Sequence, residues 1–174
     1  MGGNGSGKST LLKVISGLYY SSTGSVFING KEIDIAQYRY LFSAIFTDFH
    51  LFDRLYGLTQ DIDQKKLNNL LKIMELDHKL SYKDNRFTTL DLSTGQKKRL
   101  AMVVSMMEDK PIYIFDEWAA DQMPHFRDYF YYYLLPDLRN KGKSVIAVTH
   151  DDDYYHTADR VLKMDYGHLK TNEF

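Results

Sequence analysis

Gly2-Gly3-Asn4-Gly5-Ser6-Gly7-Lys8-Ser9-Thr10 opens the chain and fits the pattern G-x4-G-K-[ST] of a phosphate-binding loop. Its glycines let successive backbone N–H groups turn inward around phosphate oxygens. A helix beginning near Lys8 aims the positive end of its dipole at the same anion. Lys8 is then placed to reach the β- and γ-phosphates of a nucleotide, and Ser9 to ligate Mg²⁺. Leu11, Leu12, Ile15 and Leu18 share one face, which predicts a helix over 11–18.

Ser25–Ile28 reads as a strand, Asn29-Gly30 as a tight turn and Lys31–Ile33 as a returning strand. Tyr40–Thr47 is a short apolar run. Residues from about 53 to 90 turn polar, with helical spacing at Leu67, Leu70, Leu71 and Met74, and read as a small helical insert. Thr94–Met107 is a further helix. Pro111–Phe115 is continuously apolar, as a strand buried on both faces of a parallel sheet would be. Pro124–Asn140 reads as one long aromatic-rich helix, with Pro124 in its first turn and a kink at Pro136. Ser144–Thr149 is a second buried strand. Arg160–Met164 is a third, followed by a turn at Asp165-Tyr166-Gly167. Strands alternating with helices predict an α/β fold, a P-loop domain with a mainly parallel sheet flanked by helices. The expected organisation is a single domain over 1–174, with a small helical subdomain at about 53–108.

Composition excludes several classes. The 174 residues suffice for one sizeable core. A net charge of −1 gives no field to recruit nucleic acid or anionic lipid. The chain has no cysteine, which removes disulfides and thiolate metal sites. No apolar run approaches the roughly 18–20 residues of a membrane span. The 14 Tyr and 10 Phe stand mostly in amphipathic or strand-like segments. Phe130-Tyr131-Tyr132-Tyr133 has no basic stripe beside it, so these rings are expected to cover the sheet rather than stack on bases.

Ile112-Tyr113-Ile114-Phe115-Asp116-Glu117 places two acids at the end of an apolar strand, where ligands bind in parallel sheets. Asp116 is positioned to hold Mg²⁺ through water, and Glu117 to orient or deprotonate an attacking water. Leu92-Ser93-Thr94-Gly95-Gln96 stands at a helix start. Ser93 and Gly95 can offer a hydroxyl and backbone N–H groups to an anion there, or Ser93 can simply cap the helix. His150 ends the next strand. His150-Asp151-Asp152-Asp153 with His156 is read as that histidine followed by a solvated acidic helix start, rather than as a metal cluster.

In this order the four elements resemble an ATP-binding cassette. Leu92–Gln96 is similar to its signature motif, usually Leu-Ser-Gly-Gly-Gln, and His150 to its switch histidine. The stretches Phe42–Leu55, Asp116–Gln122 and Thr149–Asp152 are similar to the ATPase domain of bacterial exporters for cyclic peptides and peptide siderophores, the pyoverdine and syringomycin exporter type. That subfamily fuses an N-terminal membrane domain to a C-terminal ATPase domain, and the tail after Gly167 resembles the end of such a polypeptide. The resemblance implies ATP and Mg²⁺ as cofactors. A second ATPase domain and an exporter's transmembrane domain are the implied partners, without nucleic acid. The implied location is the cytoplasmic face of the bacterial inner membrane through that membrane domain, the fragment alone being soluble and cytoplasmic. Two such domains close head to tail around two ATP molecules. Residues 2–10 would hold one, while Ser93, Gly95 and Gln96 act on the partner's nucleotide. Lys8, Glu117 and His150 would be catalytic, with Ser9, Asp116 and Thr47 at the metal. A DNA-repair cassette would carry a long coiled coil between Lys8 and Ser93, which here stand only 85 positions apart.

Three departures from the family stand out. Thr47 aligns with the glutamine that senses Mg²⁺ and the membrane domain, and its hydroxyl is about two bonds shorter, so the contact is expected to pass through water. Met123 stands where the family carries an acid, which would weaken communication between the two sites. The family has an apolar strand directly before the phosphate loop and, further upstream, an aromatic residue that stacks on adenine. Neither precedes Gly2 here, so the expectation is a fragment that binds ATP weakly. The alternative function is a non-hydrolysing remnant that binds nucleotide or a partner domain.

Overall fold

The computed structural model describes residues 1–58 and 62–171. Positions 59–61 of the expected insert, and 172–174 of the tail, lie outside the described residues. The chain forms two compact units, residues 1–46 with 111–174, and residues 47–110.

In the first unit, α1 spans Lys8–Ile15. It begins with the loop's lysine and stops short of the expected Leu18, because Gly17 at φ +73° turns the chain. β1 (Val26–Ile28) and β2 (Lys31–Ile33) pair antiparallel across Asn29-Gly30, as expected. A 3₁₀ turn over Ile35–Leu41, capped by the Asp34 side chain, leads into β3 (Phe42–Ile45).

The second unit contains α2 (Gln64–Ile73), capped by Asp63, and then β4 (Tyr82–Lys83) and β5 (Arg86–Phe87) in an antiparallel pair. α3 follows over Thr94–Glu108. The insert is therefore not purely helical. Asp84 and Asn85 both take positive φ, 50° and 59°, and turn the short hairpin. Leu67, Leu71, Met74, Leu76, Phe87 and Leu100 form much of this unit's buried set. Arg99 reaches the carbonyl of Met74 at the end of α2 (2.7 Å), placing a cation where the helix dipole is negative.

Back in the first unit, β6 (Ile112–Asp116) lies between β3 and β7 (Ser144–Val148), parallel to both. Strand period sets the two faces. Ile114 points at Leu12 of α1, with Val148, Phe42, Ala44, Phe46 and Ile146 around them. Phe115 faces the other way, edge-on to Phe130 at 5.4 Å, and Tyr113 stacks beside Phe115. The aromatic segment does cover the sheet, as α4 (Pro124–Tyr129), a π-helical turn (Phe130–Leu134) and α5 (Leu135–Asn140). The kink expected at Pro136 is this π turn. Proline has no N–H to return and crowds the carbonyl four residues back, so the ladder widens just before it.

Two strand expectations need correction. β7 is half-buried rather than buried. Among the described residues it bonds to β6 on one side only, and its other edge borders an open cleft of about 590 Å³, lined among others by Leu12, Ile15, Val145, Ala147 and Leu162. The segment around Arg160–Met164 is not a parallel-sheet strand: β8 (Leu162–Asp165) pairs antiparallel with β9 (His168–Thr171), and only Met164 in it is buried.

Candidate functional site

The loop that opens the chain is wound by its glycines. Gly7 caps α1 from the left-handed region, φ 99°, with no side chain over the helix's first N–H groups. A helix start without a side-chain cap leaves its first N–H groups to an anion. Ser6 N–H donates to Gly3 O at 3.2 Å and Leu11 N–H to Gly7 O at 2.9 Å. Lys8 is buried along its stem, and its Nζ donates to the carbonyls of Gly2 (2.7 Å) and Gly3 (2.9 Å).

The loop is tied to the β8–β9 hairpin. The Met1 ammonium donates to Leu162 O, Met164 N–H to Met1 O, both at 2.8 Å, and Gly167 N–H to Ser6 O at 3.0 Å. Gly2 sits inside this tie at φ +144°, where a Cβ would stand 2.1 Å from Met164 O. Gly2→Ala is expected to destabilise the chain by about 2 kcal/mol, through strain and the displaced contact, and to lower Tm by about 6 °C. A thermal melt followed by circular dichroism measures this.

Asp116 ends β6 almost fully buried. Burial pushes its carboxyl above the ordinary range. The Ser9 hydroxyl pulls it down, the Glu117 charge pushes it up, and Lys8 and Lys13 pull it down further. The Ser9 hydroxyl steadies the group from one side, yet neither carboxylate oxygen meets a partner in full hydrogen-bond geometry. A desolvated, unsatisfied carboxylate beside a hydroxyl is a pair of hard oxygen donors, and it suits Mg²⁺.

Glu117 follows in the left-handed region, φ 52°, ψ 37°, which a non-glycine residue holds only at a cost. Its N–H is fixed to Val148 O at 3.0 Å. Because β6 and β7 are adjacent and parallel, with Asp116 opposite Val148, the residues beyond their ends emerge together. His150 Nε2 thereby comes to 3.2 Å from Glu117 Oε1, both side chains partly open to solvent.

Lys8, Ser9, Asp116, Glu117 and His150 thus form one linked group in the first unit. The other candidates belong to the second. Ser93 caps α3: its Oγ accepts from Gln96 N–H at 3.3 Å, and Gln96 Oε1 accepts from Ser93 N–H at 3.0 Å. This is a full capping box, so both side chains have a local role at the helix start. Gly95 lies in the first turn. Thr47 is exposed in the turn that follows Phe46. Sequence reasoning missed the left-handed backbone of Glu117 and the contacts of Tyr131 behind His150. A buried tyrosine among aromatics reads as packing, and nothing in the run pointed to its hydroxyl.

The chain can now be placed. Residues 1–120 match the family described as ABC transporter, and the chain belongs to that family, as an ATP-binding, ATPase-type domain. It is 46% identical over 175 residues to the ATP-binding protein SyrD of Pseudomonas syringae pv. syringae, covering 96% of this chain and 31% of SyrD. The energy-coupling factor transporter ATP-binding protein EcfA1 of Mycoplasma mobile is 35% identical, covering 97% of this chain and 66% of that protein. The subtilin transport ATP-binding protein SpaT of Bacillus subtilis is 28% identical, covering 97% of this chain and 30% of SpaT. The chain therefore spans about a third of SyrD and of SpaT. Among solved structures, the post-hydrolysis dimer of the ATP-binding cassette MJ0796 bound to ADP and Pi shares the fold: TM-score 0.78 at 23% identity, covering all of this chain and 84% of that one. CbiO1 of Clostridium perfringens, part of the ABC transporter complex cbiONQ, gives a TM-score of 0.72 at 27% identity, covering 98% of this chain and 73% of that one. The α/β P-loop fold expected from the sequence is the fold observed.

Proposed function

We propose that this chain is the ATP-hydrolysing unit of a bacterial exporter, of the type that moves cyclic peptides or peptide siderophores. The observation that carries the reading is the Glu117–His150 pair, at the same sheet edge as Asp116 and the Ser9 hydroxyl. In this reading residues 2–10 grip the phosphates, with Lys8 turning from the loop carbonyls to the β- and γ-oxygens. Glu117 takes or orients the proton of the attacking water, and His150 holds Glu117 and contacts the γ-phosphate. Ser9 and Asp116 would hold Mg²⁺, which would supply charge neutralisation when bound. The catalytic work is positioning and charge stabilisation, as phosphoryl transfer requires.

A second copy completes the site. Ser93, Gly95 and Gln96 of one chain present the start of α3 to the nucleotide of the other, and closure drives a membrane domain at the cytoplasmic face. The exporter and its peptide cargo rest on the resemblance carried by Phe42–Leu55, Asp116–Gln122 and Thr149–Asp152, and the similarity to a subtilin transport ATP-binding protein supports a transport role. With a non-hydrolysable ATP analogue and Mg²⁺, analytical ultracentrifugation is expected to show the chain passing from monomer to dimer. A chain that binds the analogue and stays monomeric would count against the head-to-tail reading.

A further inference from the structure

The turn that carries His150 is held from behind by a closed set of polar contacts. Tyr131 is almost fully buried in the π turn of the aromatic segment. Its hydroxyl lies 2.6 Å from Thr149 Oγ1 and 2.9 Å from Asp151 Oδ2. The Asp151 N–H donates to Thr149 Oγ1 at 2.9 Å. A carboxylate only accepts, and each hydroxyl has one proton to give. The proton order that uses each donor once runs from Asp151 N–H to the Thr149 oxygen, from the Thr149 hydroxyl to the Tyr131 oxygen, and from the Tyr131 hydroxyl to the Asp151 carboxylate. His150 is the residue enclosed between the two ends of this ring.

The ring is itself braced. Asp151 Oδ1 receives Arg127 Nη1 at 3.3 Å. Tyr154 stacks on Tyr131 at 4.2 Å, with 18° between the rings, and its own hydroxyl donates to Asp128. Burial holds the Tyr131 phenol above the ordinary tyrosine range, so it remains a proton donor. Packing alone would be met by phenylalanine; the hydroxyl is used only here.

We propose that Tyr131 is a positioning residue, whose hydroxyl fixes the Thr149–Asp151 turn and thereby holds the His150 imidazole at Glu117. The consequence for ATP turnover rests on the function proposed above, whereas the geometric claim does not. The variant is Tyr131→Phe in the full chain, which keeps the ring and its stacking. The Asp151 amide is expected to exchange its hydrogen about tenfold faster while the β6 amides stay unchanged, and the His150 imidazole NMR signals should shift. With ATP, kcat should fall about tenfold with KM unchanged. Thr149→Val, which removes the other hydroxyl, should reproduce these effects, and Thr149→Ser should restore wild-type values. The double variant Tyr131→Phe/Thr149→Val should add little, since both break one network.

An unaltered His150 signal and unaltered Asp151 exchange in Tyr131→Phe would overturn the proposal, whatever the turnover. A wild-type chain without ATP turnover would sink the ATPase reading alone and leave the exchange and NMR results to decide this one. If Tyr131→Phe does not fold, the Thr149 pair carries the same test.

Discussion

Glu117→Gln is expected to bind ATP with wild-type affinity and to hydrolyse it about a thousandfold more slowly, within the range that removal of a general base produces. The amide keeps the size of the carboxylate and an oxygen that can still face His150, but it cannot take a proton from water. Lys8, Ser9 and Asp116 are untouched, so nucleotide affinity should not move. The backbone adds a control. Glutamine and glutamate carry similar left-handed strain at φ 52°, so Glu117→Gln should melt within about 0.5 kcal/mol of wild type. Glu117→Gly should lose hydrolysis equally yet gain about 1 kcal/mol of stability, because glycine accepts that conformation freely. Phosphate release, equilibrium ATP binding and urea denaturation of the two variants check the set. Hydrolysis retained in Glu117→Gln would remove Glu117 from the chemistry.

Phe130→Ala is expected to destabilise the chain by about 3–5 kcal/mol, the cost of deleting a buried aromatic and leaving a cavity. Phe130 is 2% exposed. It meets Phe115 of the central strand edge-on, stacks on Trp118 at 4.8 Å and touches Tyr131 at 4.9 Å. It therefore joins the sheet, the residue directly after Glu117 and the ring behind His150. Native stabilities of about 5–15 kcal/mol make this a large share of the total. Urea unfolding should show the midpoint falling with the slope unchanged. A loss below about 1 kcal/mol would mean that the aromatic layer is not the cover of this sheet face.

The parts of the fold that were legible from the sequence are those written in long or one-sided patterns. Ile112–Phe115 is continuously apolar because β6 has a neighbour on each edge and a layer on each face. α3 announces itself by Ser93, a helix-capping residue type, ahead of a stretch that starts basic and turns apolar, while the reciprocal bond from Gln96 appears only in the structure. What escaped was decided by contacts distant in sequence. β7 is as apolar as β6 but, among the described residues, has a partner on one edge only, and alternation cannot report that. Tyr82-Lys83 and Arg86-Phe87 are too short to show a period, although Tyr82 and Phe87 close on each other at 4.9 Å. Lys8, Ser9, Asp116, Glu117 and His150 could be named as candidates because each stands at an element end, and the structure brings these candidates together. The left-handed turn at Glu117 was not legible, since glutamate has no preference for it and only the strand end and the bond to Val148 impose it.

The measurement that bears most directly on the proposed ATPase is steady-state phosphate release from ATP and Mg²⁺ by the whole chain, beside Lys8→Ala as the control. The predicted result is release by the wild-type chain that saturates with ATP and is lost in Lys8→Ala. ATP bound by the wild-type chain without release, or release that survives Lys8→Ala, would contradict it.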